Sequence, residues 1–278
     1  MGKKLEVGTV WGWDAALCAF LRRAGLSAEQ LPTPDQLATI RQLSHRRLSA
    51  QLLPLLRLDG TVGESFECTT IEEVGELLSS YPCLVLKAPW SSSGRGLRFV
   101  DAVRNTLTMQ TGWLKNLLKS QGSVMVEPYY NKVKDFGMEF RCHEGRVEYL
   151  GLSLFHTANG AYTGNILATE SAKRTMLGHY VSLDLLDTVQ QTICQHLTAL
   201  LGGRYSGPLG VDMMLVNGAC PPIVASPPSL LIHPCVEINL RRTMGHVALA
   251  LTPTDDDLRR VMRIRYYDNI YHLKIEQI

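Results

Sequence analysis

LVLKAPWSSSGRGLRFV, residues 84–100, joins two apolar, β-prone runs through a loop of serines and glycines. The first run ends on Lys87 and the second follows Gly96, so the pattern predicts two strands joined as a hairpin. Such a hairpin can fold over a phosphate-bearing ligand, because backbone N–H groups and serine hydroxyls donate to phosphate oxygens while the lysine supplies positive charge. The simpler alternative is an ordinary solvated hairpin turn.

The order of residues in this loop excludes two common phosphate-binding motifs. A Walker P-loop has its lysine after the glycines and a helix behind them, whereas Lys87 precedes the glycines and the β-prone run LRFV follows them. A Rossmann fingerprint fails for the same reason, because no helix N-terminus is supplied to the pyrophosphate. Protein kinases also use a hairpin, but their lysine follows the glycines. A lysine that precedes a glycine-rich hairpin is therefore the distinctive feature.

Length and composition predict a folded protein of two lobes. The chain has 278 residues, of which 45% are hydrophobic and 19% charged, and domains average roughly 150 residues. Its formal net charge of +2 is spread along the chain, which argues against nucleic acid or an anionic membrane as partner and favours small molecules. The seven cysteines lack paired short spacing, so we expect reduced core residues and no zinc site.

The sequence contains no evident membrane span or signal peptide. No apolar run approaches the roughly 20 residues that cross a bilayer. The first residues, MGKKLEVGTVWGW, lack the apolar core and cleavage site of a secretory signal. We therefore expect a cytoplasmic protein.

The pattern of apolar residues divides the chain into three segments. Residues 1–45 have helical spacing and little sign of sheet. Residues 46–124 predict a small α+β lobe that contains the glycine-rich hairpin, and residues 125–278 predict a larger α+β lobe. In the larger lobe we expect a first strand over SVMVEPYY, a hairpin around HEGR, a loop over NGAYTGN, a long helix over LDLLDTVQQTICQHLTALLGG, strands over GVDMMLV and HPCVEINL, and a closing helical segment.

A second constellation of polar residues lies in two of these strands. Positions i and i+2 of a strand share a face, so Glu237 and Asn239 point the same way. With Asp212 from the neighbouring strand they offer oxygen ligands that suit Mg²⁺, which is usually held by few protein carboxylates together with substrate phosphates. The alternative is that the carboxylates are surface residues of edge strands, which their apolar neighbours disfavour.

In this order, the glycine-rich hairpin, VMVEPYYNKVKDFGMEF, GVDMML and VEINLRRTMG resemble the ATP-grasp superfamily, which includes D-alanine:D-alanine ligase, glutathione synthetase and biotin carboxylase. Each motif alone is weak, but their order over roughly residues 40–250 is specific. The resemblance implies an α+β ATP-grasp fold in which two lobes clasp ATP. It also implies that the short helical N-terminal segment stands in place of the complete α/β domain that usually precedes these lobes.

The resemblance also implies roles for individual residues. Lys87 and Arg46 match basic residues of the phosphate site, and Asp135 lies near the family's ribose-binding carboxylate. The other matches are the phosphate-covering loop (Ser91, Ser92, Ser93, Gly94, Gly96), the interlobe segment that reads adenine (Glu127, Tyr129, Tyr130), and the metal ligands (Asp212, Glu237, Asn239).

The activity implied by the resemblance is that of a carboxylate-amine ligase acting on small molecules. A carboxylate attacks the γ-phosphorus of ATP while lysine, arginine and Mg²⁺, or Mn²⁺ in its place, neutralise the transferring charge. An amine then opens the acylphosphate. Two other functions stay open, namely ATP-dependent phosphoryl transfer to a hydroxyl, and nucleotide binding by a regulatory subunit without turnover.

The sequence departs from the family pattern at several places. Many of the family's ligases carry an arginine two positions before the first metal aspartate, where this chain has Gly210. Arg241 and Arg242 are candidates to supply that charge, and a solvated arginine pair is the equal alternative.

The loop at 156–165 offers Tyr162 and Asn165 to a substrate, although a glycine-rich turn is the simpler interpretation.

The largest departure is the short N-terminal segment. It leaves open a homo-oligomer, or a longer protein whose N-terminal domain is missing from this chain.

Overall fold

The computed structural model describes residues 9–91, 96–158, 161–219 and 230–278. Within these ranges the chain combines helices with three four-stranded antiparallel sheets. The α+β class that the sequence predicts is thus confirmed. No helix of these ranges is long and apolar enough to cross a membrane.

The described part of the N-terminal segment is helical, as the sequence predicts. Helix α1 (Ala15–Arg23) begins at Asp14, whose carboxylate accepts a hydrogen bond from the N–H of Leu17 at 2.7 Å. Helix α2 (Pro34–Leu43) begins at Thr33 with a capping box to Gln36. Local side-chain caps therefore set where both helices start.

The small lobe is one sheet covered by two helices. Helix α3 (Arg47–Leu52), extended by a 3₁₀ turn at Leu53–Leu56, precedes it in the chain. The elements of the lobe are β1 (Phe66–Cys68), α4 (Ile71–Ser80), β2 (Cys83–Lys87), β3 (Leu97–Asp101), α5 (Leu107–Gln121) and β4 (Val124–Pro128). The strand order is β1-β4-β2-β3. Helices α4 and α5 bury Val74 and Leu114 against Val126 of the sheet. Strands β2 and β3 pair from Cys83↔Asp101 to Lys87↔Leu97, so the predicted hairpin is present.

Strand β4 belongs to the small lobe and not to the larger one. It pairs with β1 at Phe66↔Val126 and with β2 at Val85↔Glu127. The predicted strand SVMVEPYY is therefore two strands that lie in different sheets. Backbone pairing places β4 between β1 and β2. The two lobes therefore meet at the C-terminal end of β4, whereas the sequence pattern put their boundary at residue 124.

The main sheet of the larger lobe has the order β10-β9-β5-β6. Its strands are β5 (Tyr130–His143), β6 (Arg146–Ser153), β9 (Gly207–Ala219) and β10 (Leu231–Asn239), and its helices are α6 (Glu170–Gly178) and α7 (Leu183–Leu201). The predicted hairpin at HEGR is present. Glu144 and Gly145 form its two-residue turn with φ values of 49° and 75°, as a tight hairpin with right-handed strand twist requires.

The third sheet differs from the sequence prediction. It consists of β7 (Phe155–Ala158), β8 (Ala161–Leu167), β11 (Arg260–Tyr267) and β12 (Ile270–Gln277) in the order β12-β11-β8-β7. Most of the predicted loop NGAYTGN is β8. The predicted closing helical segment is wrong beyond α8 (Met244–Ala250), because residues 260–277 alternate apolar and polar side chains around a turn at Asp268 and Asn269.

Alternation along the main sheet separates its two faces. On β9 the buried residues Val211 and Met213 join the core that α7 covers, so Asp212 lies on the opposite face. In the same way Met138 of β5 lies in that core, and its neighbours Gly137 and Glu139 face away from it. The face turned away from α7 is therefore where polar side chains of three strands meet.

Candidate functional site

Lys87 reaches from the small lobe to the larger one. This last residue of β2 is only 6% exposed. Its Nζ lies 2.5 Å from Oε2 of Glu127 on β4 and donates to the carbonyl oxygen of Val236 on β10 at 3.4 Å. A buried ammonium is tolerated where a carboxylate pairs with it. The ion pair therefore holds a charged lysine at the junction of the lobes.

Arg46, at the start of α3, joins the glycine-rich hairpin to the polar face of the main sheet. Its Nε donates to the carbonyl oxygen of Ala88 at 3.1 Å, and its Nη2 donates to Oγ of Ser91 at 3.1 Å. Its Nη1 lies 3.0 Å from Oε2 of Glu237. One buried guanidinium thus contacts both the loop and one of the predicted metal ligands.

The three predicted metal ligands lie together. Asp212 and Glu237 are directly opposite each other on β9 and β10, and Asn239 donates from Nδ2 to Oδ2 of Asp212 at 3.0 Å. Arg241 donates from Nη2 to Oδ1 of Asn239 at 2.8 Å. Burial, followed by the charges of Glu237 and Glu139, raises the pKa of Asp212 to about 7.

This donor set fits a hard divalent cation. Burial, together with the neighbouring carboxylates, disfavours the negative charge of Asp212 and so raises its pKa, and a bound cation would neutralise that charge. Among the described residues, no group of three or more His, Cys, Asp and Glu side chains is placed to hold a metal ion. Two carboxylates and one amide suit Mg²⁺, which retains several water or phosphate ligands, better than Zn²⁺.

A cavity of about 520 Å³ adjoins these residues. Of the two candidate arginines, Arg241 lines this cavity and Arg242 does not. The N-terminal segment closes one side, since the carbonyl oxygen of Trp11 accepts from the N–H of Arg242 at 2.7 Å. The charged and polar residues of the lining are Lys132, Asp135, Glu139, Ser153, Thr157, Tyr162, Asn165, Asp212, Glu237, Asn239, Arg241 and Thr243.

Glu139 of β5 is a buried site residue that the motif search missed. It is 3% exposed and pairs through its backbone with Gly210, the position where many ATP-grasp ligases carry arginine. A Cβ at Gly210 would lie 2.6 Å from Oε2 of Glu139, so this carboxylate fills the space that a side chain at 210 would enter. A charged residue inside the apolar run GMEFRC was the available signal, because Glu139 and Gly137 share the strand face that meets Asp212.

Comparison with known proteins adds evidence from structure alone. No protein-family model matches the sequence, and a search of curated proteins gives no match. N5-carboxyaminoimidazole synthetase from Staphylococcus aureus, complexed with ADP, is 13% identical, with a TM-score of 0.53 over 88% of this chain and 64% of that one. The biotin carboxylase domain of Hydrogenobacter thermophilus 2-oxoglutarate carboxylase, with MgADP, ADP and bicarbonate, is 13% identical, with a TM-score of 0.56 over 82% and 51%. Both are ATP-grasp enzymes.

The chain has the ATP-grasp fold. A third match supports this, biotin carboxylase from Campylobacter jejuni in a β-γ-ATP complex, at 12% identity and a TM-score of 0.55 over 81% of this chain and 52% of that chain. The present chain spans less than two thirds of the length of each of these proteins.

The residues of the predicted adenine-reading segment are already engaged in contacts within the protein. The carboxylate of Glu127 forms an ion pair with Lys87, and the N–H of Tyr129 donates to the carbonyl oxygen of Cys83 at 2.9 Å. Tyr130 is buried and packs edge-on against His233, with ring centroids 5.2 Å apart. Burial of the Tyr130 hydroxyl raises its pKa well above the usual range. Tyr130 is therefore a packing residue.

Asp135, the predicted ribose carboxylate, lines the cavity in a small polar cluster. Lys132 lies 2.6 Å from its Oδ2, and the hydroxyl of Thr157 donates to the same oxygen at 2.5 Å. Of the predicted ATP-grasp loop residues, Ser91 contacts Arg46 and Gly96 has a φ of 72° that favours glycine. Ser92, Ser93 and Gly94 lie outside the described residues.

Proposed function

We propose that the protein is an ATP- and Mg²⁺-dependent ligase that activates a carboxylate as an acylphosphate for attack by an amine. The observation that carries this proposal is the position of Arg46, whose guanidinium contacts Ser91 of the glycine-rich hairpin and Glu237 of the metal site at once. A phosphate held by the hairpin would therefore lie beside the carboxylates that hold the metal. The nucleotides bound by the two structural matches described with ADP support the same ligand.

Each residue of the site has a task in this reaction. Lys87 and Arg46 place positive charge where negative charge spreads over the transferring phosphoryl group, which is the main means of accelerating phosphoryl transfer. Asp212, Glu237 and Asn239 would hold Mg²⁺, which would neutralise phosphate charge when bound. The same residues would accept Mn²⁺, because both ions prefer oxygen ligands.

Arg241 is positioned to bind the substrate carboxylate. Its guanidinium lines the cavity and is oriented by Asn239, next to the metal site. Arginine forms two parallel hydrogen bonds with a carboxylate and so fixes its orientation for attack on the phosphorus. A small carboxylic acid and an amine fit a cavity of about 520 Å³.

Hydroxylamine tests the proposal directly, because it traps acylphosphates as hydroxamates. The protein is incubated with ATP, Mg²⁺, hydroxylamine and pooled carboxylic and amino acids, and ADP and hydroxamate are measured. We expect both products to form in equal amounts with at least one pool. ADP with a stable phosphorylated product and no hydroxamate would identify a phosphotransferase, and ATP binding without ADP release would identify a regulatory subunit. Either result would overturn the ligase proposal.

A further inference from the structure

The carboxylate of Glu139 lacks a satisfactory partner inside the cavity. The residue is 3% exposed and lines the cavity, yet its Oε2 is buried without a hydrogen bond. No lysine or arginine of the described chain lies within ion-pair distance of it. Burying a carboxylate without a compensating donor is unfavourable. A site that keeps such a group is suited to a ligand that brings the missing donor.

His246, the nearest candidate donor, is already committed elsewhere. Its Nδ1 lies 2.9 Å from Oε2 of Glu139 but accepts a hydrogen bond from the N–H of Thr243 at 3.1 Å. Its Nε2 lies 3.2 Å from the carbonyl oxygen of Phe140, which requires the ring proton on that nitrogen. A ring nitrogen that accepts a hydrogen bond from Thr243 is not a donor to Glu139 in this arrangement.

The backbone around Glu139 is built to make room for the carboxylate. A Cβ at Gly210 would lie 2.6 Å from Oε2, and a Cβ at Gly245 would overlap Oε1. Neither glycine has a positive φ, so space and not backbone conformation is what requires glycine at both positions. Two elements, β9 and α8, therefore lack side chains where the carboxylate lies.

Further polar atoms line the same end of the cavity. Tyr162 donates to Oδ1 of Asn165 at 2.5 Å, and Nδ2 of Asn165 donates to Oγ of Ser153 at 2.8 Å. The fully buried Asn165 thus orients Ser153, whose Oγ lies close to Gly245 and so to the carboxylate. Tyr162 and Asn165 act here through Ser153, which the sequence alone did not indicate.

We propose that Glu139 binds the acceptor amine of the ligation as its ammonium cation, with Ser153 beside it. The carboxylate then accepts one ammonium proton, the freed lone pair of the nitrogen attacks the acyl carbon, and the C–O bond to phosphate breaks, so that phosphate leaves with the second proton. The inference rests on the proposed ligase function. Glu139 lies opposite Gly210, two residues along β9 from Asp212, which corresponds to about 7 Å along a strand. A cation on Glu139 is therefore adjacent to the metal site where the acyl group forms, and the carboxylate selects amines that are protonated at neutral pH.

The test separates formation of the acylphosphate from transfer to the amine. Glu139→Gln preserves shape and removes charge, and Glu148→Gln on the exposed part of β6 is the matched control. Hydroxylamine is neutral at pH 7.5 and reports acylphosphate without needing a cation site. We expect Glu139→Gln to raise the KM for pooled primary amines by about 100-fold and to change the KM for hydroxylamine by no more than about 2-fold. Glu139→Asp, which keeps the charge, should recover part of this loss.

Direct binding decides the inference even if no turnover is found. Methylammonium chloride should raise the Tm of the wild type and of Glu148→Gln above that in sodium chloride of equal ionic strength, and should not raise that of Glu139→Gln. Equal shifts in wild type and Glu139→Gln, or an unchanged amine KM with normal hydroxamate formation, would overturn the role of Glu139 while leaving the ligase standing. Absence of hydroxamate in every variant would overturn the ligase, and the Tm comparison would then judge the cation site alone.

Discussion

Lys87 and Glu127 form a buried ion pair whose members have separable roles. Lys87→Met leaves the carboxylate of Glu127 buried without a counter-charge, which should cost about 3–5 kcal/mol of stability. It also removes charge from the phosphate site and should lower ATP turnover at least about 100-fold. Lys87→Met combined with Glu127→Gln should recover most of the stability but none of the turnover. Urea unfolding and ADP release measure the two effects, and recovery of turnover in the double variant would contradict the assignment.

Asp212 gives the metal site a pH dependence of definite sign. Its pKa is raised to about 7 in the folded protein and lies near 4 in an unfolded chain, so the folded state binds the extra proton between these values. Without a divalent cation, stability should therefore fall as pH rises from about 5 to 8. Mg²⁺ binds the deprotonated carboxylate and should restore stability above pH 7.

Unfolding in urea at pH 5 and pH 8, with EDTA or with Mg²⁺, measures both effects. Asp212→Asn should abolish them, and Asp59→Asn, at an exposed position, should leave them unchanged. A stability that rises with pH in EDTA would contradict the electrostatic description of this site.

At the scale of secondary structure, helix α8 carries two of the residues that surround Glu139. Thr243 caps this helix, since its Oγ1 accepts from the N–H groups of Gly245 and His246 at 3.1 and 3.4 Å. Thr243→Ala should cost about 1 kcal/mol and, by loosening the first turn, raise the KM for amines. Thr33→Ala removes the cap of α2 at a similar cost and should leave that KM unchanged. Equal effects of both variants on the KM would show that α8 does not position the amine site.

Sequence patterns predicted the elements in which local periodicity and packing agree. The hairpin of β2 and β3, the turn at Glu144 and Gly145, and the closeness of the predicted metal ligands Asp212 and Glu237 follow from alternation and turn chemistry that are visible along a short stretch. The pairing of β4 depends on residues nearly 60 positions earlier in the chain, which no local pattern reports. The β11 and β12 hairpin had a clear period of two and was predictable in principle.

For the site residues, too, predictability depends on whether the signal lies in a short stretch of sequence or in distant residues. Residues next to a motif, such as Lys87, could be proposed from spacing. The proposed role of Glu139 depends on Gly210 and Gly245, which lie 71 and 106 positions away and matter only for the space they leave. Such a relation is fixed by tertiary packing and not by spacing, so only the structure reveals it.

At the scale of the whole molecule, the two lobes have separate hydrophobic cores. One contains Leu114 and Val126 of the small lobe, and the other contains Ile193 of α7 with Leu48 and Leu52 of α3. Helix α3, which the sequence placed in the small lobe, thus packs in the core of the larger one. Stability should therefore be divided between two cooperative units.

Hydrogen exchange can test this division. Leu114→Ala should lower the protection of amides in β2 and β4 by about 2–5 kcal/mol and leave those in β9 unchanged. Ile193→Ala should have the reverse effect. Loss of protection spread evenly over both lobes by either variant would show one cooperative unit.

Nucleotide binding should couple these two units. Lys87 contacts β10 across the junction, and Arg46, at the head of α3, contacts both Ser91 and Glu237, so a ligand held by these residues binds only when both lobes are folded. Saturating MgATP should therefore restore protection to β2 and β4 in Leu114→Ala. The same variant carrying Glu237→Gln should gain much less, whereas Glu72→Gln, at an exposed position of α4, should gain as much as the parent. If MgATP protected the larger lobe alone, the nucleotide would not lie between the lobes, because a ligand bound to one unit cannot stabilise the other.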